Sequence, residues 1–147
     1  MKKVFLFMGC LMLMAQLSFA GRNVYTTDST QLPEAARTFI AKYFPGTGVA
    51  HIKIEKEFLD GKQYDVILTN GIDLDFDSKG EWKEIDGHRQ VLPAAVVPEK
   101  IRQYIEKNYR EVGVTSLDRD RKGFDVKLTN GLELKFSPAQ VFLRIDD

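Results

Sequence analysis

The chain has 147 residues, with 21 basic and 21 acidic side chains, one cysteine and two histidines. A neutral balance supplies no basic face for nucleic acid, and so few thiol and imidazole groups argue against a zinc centre, which needs three or four ligands. The length suits about one ordinary domain or two very small ones.

Residues 1–20 read as an export signal. Lys2 and Lys3 give a positive start, residues 4–15 form an apolar run, and Ser18-Phe19-Ala20 places small residues at the two positions a signal peptidase inspects, with Gly21 next. The run is shorter than the ~20 residues a bilayer core requires, and Gln16 interrupts it, so cleavage after Ala20 is predicted over a retained anchor. Leu6-Phe7-Met8-Gly9-Cys10 faintly resembles a lipoprotein box, but Phe7 and Met8 are bulky and the apolar stretch continues past the cysteine; lipidation is the minor reading. The mature chain 21–147 then holds no cysteine, which excludes disulfides and thiol chemistry. An exported chain of that kind suits a bacterial periplasm or cell exterior. Losing Lys2 and Lys3 leaves 19 basic against 21 acidic residues, a net charge of −2. No other apolar run in the mature chain could span a membrane.

A first helix is predicted from Leu32-Pro33-Glu34, with proline in the first turn and an acid beside it to complement the helix dipole. Leu32, Ala36, Phe39, Ile40 and Tyr43 follow helical spacing, and Pro45-Gly46 ends the run. Residues 49–59 follow as a strand with Ile52, Ile54 and Phe58 on one side. Residues 64–76 then alternate up to Asn70-Gly71 and alternate again after it, the signature of a β-hairpin; Asn-Gly predicts a type I′ turn. Tyr64, Val66 and Leu68 share one face, matched by Ile72, Leu74 and Phe76, while Asp65, Thr69, Asp73, Asp75 and Asp77 fall on the other. Such one-sided burial belongs to an antiparallel sheet packed on a helix. Residues 81–86 close the unit as a last strand.

A second helix is predicted from Val97-Pro98-Glu99, with Ile101, Tyr104, Ile105 and Tyr109 as its stripe. Leu92-Pro93 echoes Leu32-Pro33, which suggests an extra N-terminal turn. Strands follow at 114–119, 124–136 (again a hairpin, about Asn130-Gly131) and 141–146. The segment from Tyr64 to Phe76 returns as Phe124 to Phe136 at an offset of sixty, which carries on through Trp82 with Phe142 and Ile85 with Ile145. The helices are sixty-five apart. The fold class predicted is therefore α+β, in two tandem repeats at 21–88 and 89–147. Each is a helix followed by about four antiparallel strands, and their sheets can join edge to edge because neither alone buries much core.

Leu32-Pro33, Tyr43-Phe44-Pro45, Tyr64-Asp65-Val66, Asn70-Gly71 and Phe76-Asp77-Ser78-Lys79-Gly80-Glu81-Trp82 together resemble the PepSY-like family of secreted bacterial proteins. That family is similar in fold to the tandem-repeat β-lactamase inhibitory proteins. The resemblance implies a noncatalytic module, inhibitory or ligand-binding. In the second unit Ser137-Pro138-Ala139-Gln140 replaces the Asp-Ser-Lys-Gly turn and Phe142 replaces the tryptophan. No inhibitor contact residue is matched, so β-lactamase inhibition does not carry over.

No catalytic group is expected: there is no nucleophile elbow, no activated cysteine and no phosphate-binding glycine loop, and no cofactor. Asp73-x-Asp75-x-Asp77 with Glu84 imitates a calcium loop, but Ser78 stands where its glycine should be, and Lys135 in the second unit would repel a cation. A solvated polar face is the default, and no metal ligand set is assigned. His51 and His88 read as surface histidines. Trp82 reads as core or as an exposed interface anchor; Trp82 and Ile85 have opposite parity and cannot both point inward without a bulge. The function expected is a binding module, an inhibitor of an envelope or secreted enzyme among its forms. Its partner is an unidentified protein or envelope component, met by an outer sheet face that includes Lys53, Glu55, Asp65, Thr69, Asp73, Asp75, Trp82 and Lys127. The alternative is a calcium- or small-ligand-binding periplasmic sensor.

Overall fold

The computed structural model describes residues 23–146; the predicted signal, its cleavage point and Cys10 lie outside the described residues. The elements in chain order are β1 (Val24–Thr26), α1 (Glu34–Tyr43), β2 (Val49–Glu57), β3 (Gly61–Leu68), β4 (Asp73–Phe76), β5 (Trp82–Asp86), α2 (Glu99–Asn108), β6 (Val114–Asp120), β7 (Gly123–Leu128), β8 (Glu133–Phe136) and β9 (Phe142–Asp146). The fold is α+β. The nine strands among the described residues form one antiparallel sheet whose spatial order is the sequence order. β5 pairs directly with β6, Ile85 opposite Leu117, so the sheet does not stop at α2.

Strand alternation places one apolar set on the helix side. A cross-strand row runs Ile52, Val66, Leu74, Ile85, Leu117, Val126, Leu134, and none of these is more than 1% exposed. The two helices lie on this face. Ala36 and Ile40 of α1, and Ile101 and Ile105 of α2, belong to the same core. Phe39 meets Phe76 edge-on at 5.7 Å, and Tyr104 meets Phe136 at 5.5 Å. Burying a side chain such as Phe76 contributes about 1.5–3 kcal/mol. Glu34 and Glu99 in the first turns, and Lys42 and Lys107 in the last, match the helix dipoles.

The hairpin faces agree with the sequence pattern, but the turns do not. Tyr64 opposes Phe76 and Val66 opposes Leu74, which makes the loop Thr69-Asn70-Gly71, three residues long. Gly71 N–H donates to Leu68 O at 2.9 Å, and of the loop residues only Gly71 has a positive φ, 85°. This is a type I turn closed by a glycine in the left-handed region, and the Asn130-Gly131 loop repeats it. A two-residue type I′ turn would slip the register by one and set Val66 against an aspartate. Asn70 and Asn130 serve instead through their side chains, accepting from Ile72 N–H and Leu132 N–H at 3.1 Å.

Four further differences follow from local geometry. β2 ends at Glu57, so Phe58 sits in a turn, 94% exposed, rather than beside Ile54. Leu32 precedes α1 rather than joining it, although it is buried. The extra turn before α2 is a separate 3-10 turn, Ala94–Val96. β1, which the sequence pattern did not reveal, pairs Tyr25 with Lys53 and covers one edge of β2.

Candidate functional site

The face opposite the helices carries the charged residues of the strands. Because every register is antiparallel and in sequence order, residues far apart in the chain line up across it. Lys53, Asp65, Asp75, Glu84, Asp118, Asp125, Lys135 and Arg144 are successive cross-strand partners from β2 to β9. Five consecutive members are acidic, making four like-charged pairs in a line. Like charges directly opposite each other destabilise a sheet, so this row works against the fold it sits on.

The ends of the row are neutralised and its centre is not. Lys53 bonds Glu55 and lies 3.8 Å from Asp65. Lys135 reaches Asp125 at 3.0 Å and Asp146 at 3.3 Å. Between them, burial first, then the charges of Asp65, Glu84 and Asp73, push the Asp75 carboxyl up to about 7, against a smaller opposing pull from Lys83. Glu84 is raised by burial and then by Asp118 and Asp86. Asp118, though at the surface, is raised by partial desolvation and then by Asp125. A shallow depression of about 130 Å³ lies here, lined by Glu84, Ser116, Asp118, Asp125, Lys127 and Glu133.

A neighbouring row holds Asp73, Asp86, Ser116, Lys127 and Glu133. His88 spans its first two acids, 3.0 Å from Asp73 and 3.4 Å from Asp86. Lys53, Glu55, Asp65, Asp73, Asp75 and Lys127 therefore share the outer face, as the alternation predicts. Thr69 does not: it lies past the end of β3, and its hydroxyl accepts from Gly48 N–H at 3.1 Å. Thr129 does the same for Gly113.

Trp82 is also not on this face. A bulge in the β4–β5 register lets Phe76 face Trp82 while Leu74 faces Ile85, so both inward residues keep their side despite their parity. Trp82 packs partly buried against the core. The Arg119 guanidinium lies 4.4 Å from its ring and donates to Trp82 O at 2.6 Å. Together with Phe124, Tyr43 and Arg102 they line an open hollow of about 630 Å³ on the helix side. It is larger than the acidic depression, but Arg119 already covers its tryptophan.

The calcium-loop spacing does not make a loop. Asp73 and Asp75 stand on β4, and Asp77 Oδ1 is taken by Lys79 N–H and Glu81 N–H, both at 2.9 Å. Among the described residues no group of three or more His, Cys, Asp or Glu is placed to hold a metal ion. Local sequence pattern does not place Glu84 on this face, nor Asp118 or Asp125 at any site. The hairpin registers could have added Asp125, but the β5–β6 pairing that aligns Glu84 with Asp118 is not visible in any local pattern.

A family described as "Putative beta-lactamase-inhibitor-like, PepSY-like" matches residues 62–144. The chain belongs to the PepSY-like family. Among solved structures, this PepSY-like chain is similar to a "putative periplasmic protein of unknown function" from Bacteroides vulgatus ATCC 8482. The two are 43% identical over 86% of this chain and 100% of that one, with a TM-score of 0.80. A second protein of that organism, a "putative periplasmic protein from DUF2874 family", is 40% identical over 87% and 99%, at 0.80. A "putative calcium-regulated periplasmic protein" from Bacteroides thetaiotaomicron is 38% identical over 85% and 97%, at 0.78. No curated protein matches the chain. No helix among the described residues is long and apolar enough to cross a membrane.

Proposed function

We propose that this chain is a noncatalytic periplasmic binding module, exported by a signal at residues 1–20, that receives a positively charged protein surface on its outer sheet face. In this proposal 21–88 and 89–147 are two copies of one helix-plus-four-strand unit, joined through β5 and β6 so that one surface spans both. The observation that carries the proposal is the line of four like-charged pairs from Asp65 to Asp125. A fold gains nothing from such a row, whereas a cationic partner would relieve it, and residues that break local rules are expected at functional sites. The periplasmic neighbours support the location. Inhibition of an envelope enzyme is one form such binding takes.

Immobilised chain from Gly21 on, and a variant carrying Asp75→Asn, Glu84→Gln and Asp118→Asn, are exposed to envelope extract and compared by mass spectrometry. A protein retained by the parent, released by about 0.5 M salt and lost from the variant supports the reading. Retention that is indifferent to the variant and to salt refutes it.

A second reading, a calcium-responsive module, is favoured by the line of acids from Asp65 to Asp125 and by the calcium-regulated description of one solved neighbour. Calorimetric titration with calcium decides it: heat that disappears in the same variant supports a cation on the row, and no heat at millimolar calcium removes it.

A further inference from the structure

The apolar row on the helix side is closed at every strand but the last. Ile145 of β9 pairs with Leu134, just as Ile85 of β5 pairs with Leu74. Ile85 has Leu117 of β6 on its other side and is 0% exposed; Ile145 is 44% exposed, and no strand among the described residues pairs with the outer edge of β9. The β5–β6 junction shows how the equivalent edge is filled: antiparallel, with an apolar central pair. Sheet edges are commonly protected by short strands, charged side chains, proline, an inward-pointing charge or a bulge. From Arg144 to Asp146, β9 has no proline, inward charge or bulge, its one irregularity lying towards Phe142. Its two charges, Arg144 and Asp146, lie 3.4 Å apart within the strand and are of opposite sign, so they bar an unmatched strand but not a charge-matched one.

We propose that β9 docks on β9 of a second copy of this chain, antiparallel about a two-fold axis at Ile145. In that register Ile145 meets its twin, and Arg144 of each copy faces Asp146 of the other, twice by symmetry. Charge complementarity selects both the occupant and the register. A slip of one residue turns Ile145 to the polar face. A slip of two in one direction sets Arg144 against Arg144, and in the other Asp146 against Asp146. β1, at the opposite edge, offers only Val24, Tyr25 and Thr26 and carries no charge to specify a register. Pairing β9 with a second copy's β1 would also leave free ends and build an open chain of subunits, whereas β9 on β9 closes as a dimer.

The test is sedimentation of the chain from Gly21 on, which contains every described element. A five-residue edge buries less than a standard interface, so a reversible dimer with a dissociation constant on the order of 100 µM is expected, sampled from about 5 to about 500 µM. Arg144→Asp and Asp146→Arg each place like charges across the axis and should weaken the dimer at least about tenfold. An equimolar mixture of the two restores opposite charges at both positions, and so does the double variant; both should return to within about threefold of the parent. Amide exchange at Ile145 and its neighbours should slow with concentration in the parent, a readout that needs no variant. A monomer at every concentration, a dimer indifferent to both charge changes, a mixture that fails to reassociate, or growth beyond two copies would each overturn the proposal.

Discussion

Replacing Asp75 with asparagine should make the protein more stable, by an amount that grows as pH rises from about 4 to about 7 and is then constant. The folded carboxyl holds its proton up to about 7, whereas the unfolded one releases it near 3.8. Between those values the folded state binds more protons than the unfolded state, so stability falls as pH rises through the window. Each tenfold change in proton affinity is worth about 1.36 kcal/mol, so the rise from 3.8 to about 7 corresponds to about 4 kcal/mol at most. Asp75 lies on an open face, where water and salt screen its neighbours, and about 2 kcal/mol is the better expectation. Asparagine keeps the shape and cannot ionise. The variant should match the parent near pH 4, where the folded parent is still protonated. It should exceed the parent by about 2 kcal/mol at pH 8, roughly 8 °C in Tm for a chain this long. Urea unfolding of both proteins at half-unit pH steps measures the difference. A gain of the same size at pH 4 and pH 8, or a loss at pH 8, would show that neither burial nor the neighbouring acids disfavour the Asp75 carboxylate in the folded protein.

Ile85→Ala should destabilise by about 2–5 kcal/mol and Ile145→Ala by about 1 kcal/mol or less, because the same side chain is enclosed in one position and half open in the other; denaturant unfolding compares them directly. Gly123→Ala should be among the most damaging single changes, at least about 3 kcal/mol, since φ is +133° and a Cβ would stand 1.9 Å from Phe136 O; a normal yield and Tm would contradict the close approach. Arg119→Ala removes the guanidinium from the Trp82 ring and should cost about 1–2 kcal/mol. It should also shift the emission of this single tryptophan to the red, and unchanged emission would place the ring elsewhere.

Periodicity made the paired faces of the hairpins legible, because Val66 and Leu74 must turn inward together. The turn type was not: Asn-Gly is compatible with a two-residue loop, and only the requirement that inward residues oppose one another selects three. Phe58 has the parity of Ile52 and Ile54, but Lys56 interrupts that alternation, and the chain reverses between Glu57 and Gly61, which oppose each other across β2 and β3. The sequence left the direction of Trp82 undecided because a bulge changes parity without changing composition. The individual acids were visible, whereas their alignment was not. Glu84 and Asp118 are joined across a connection that contains all of α2, and no local pattern encodes a register over that distance.

Strand order that matches chain order has a consequence for how the molecule assembles. With no strand inserted between two earlier ones, each new strand needs only the edge left by its predecessor, and the longest loops to close are those that carry α1 and α2. Low sequence separation between partners lowers the entropic barrier to pairing. A sheet of this kind can grow outward from either helix and its following hairpins, as linear repeat proteins propagate from any nucleus. Pairing of β5 with β6 would then be the late step that merges two preformed patches into one sheet.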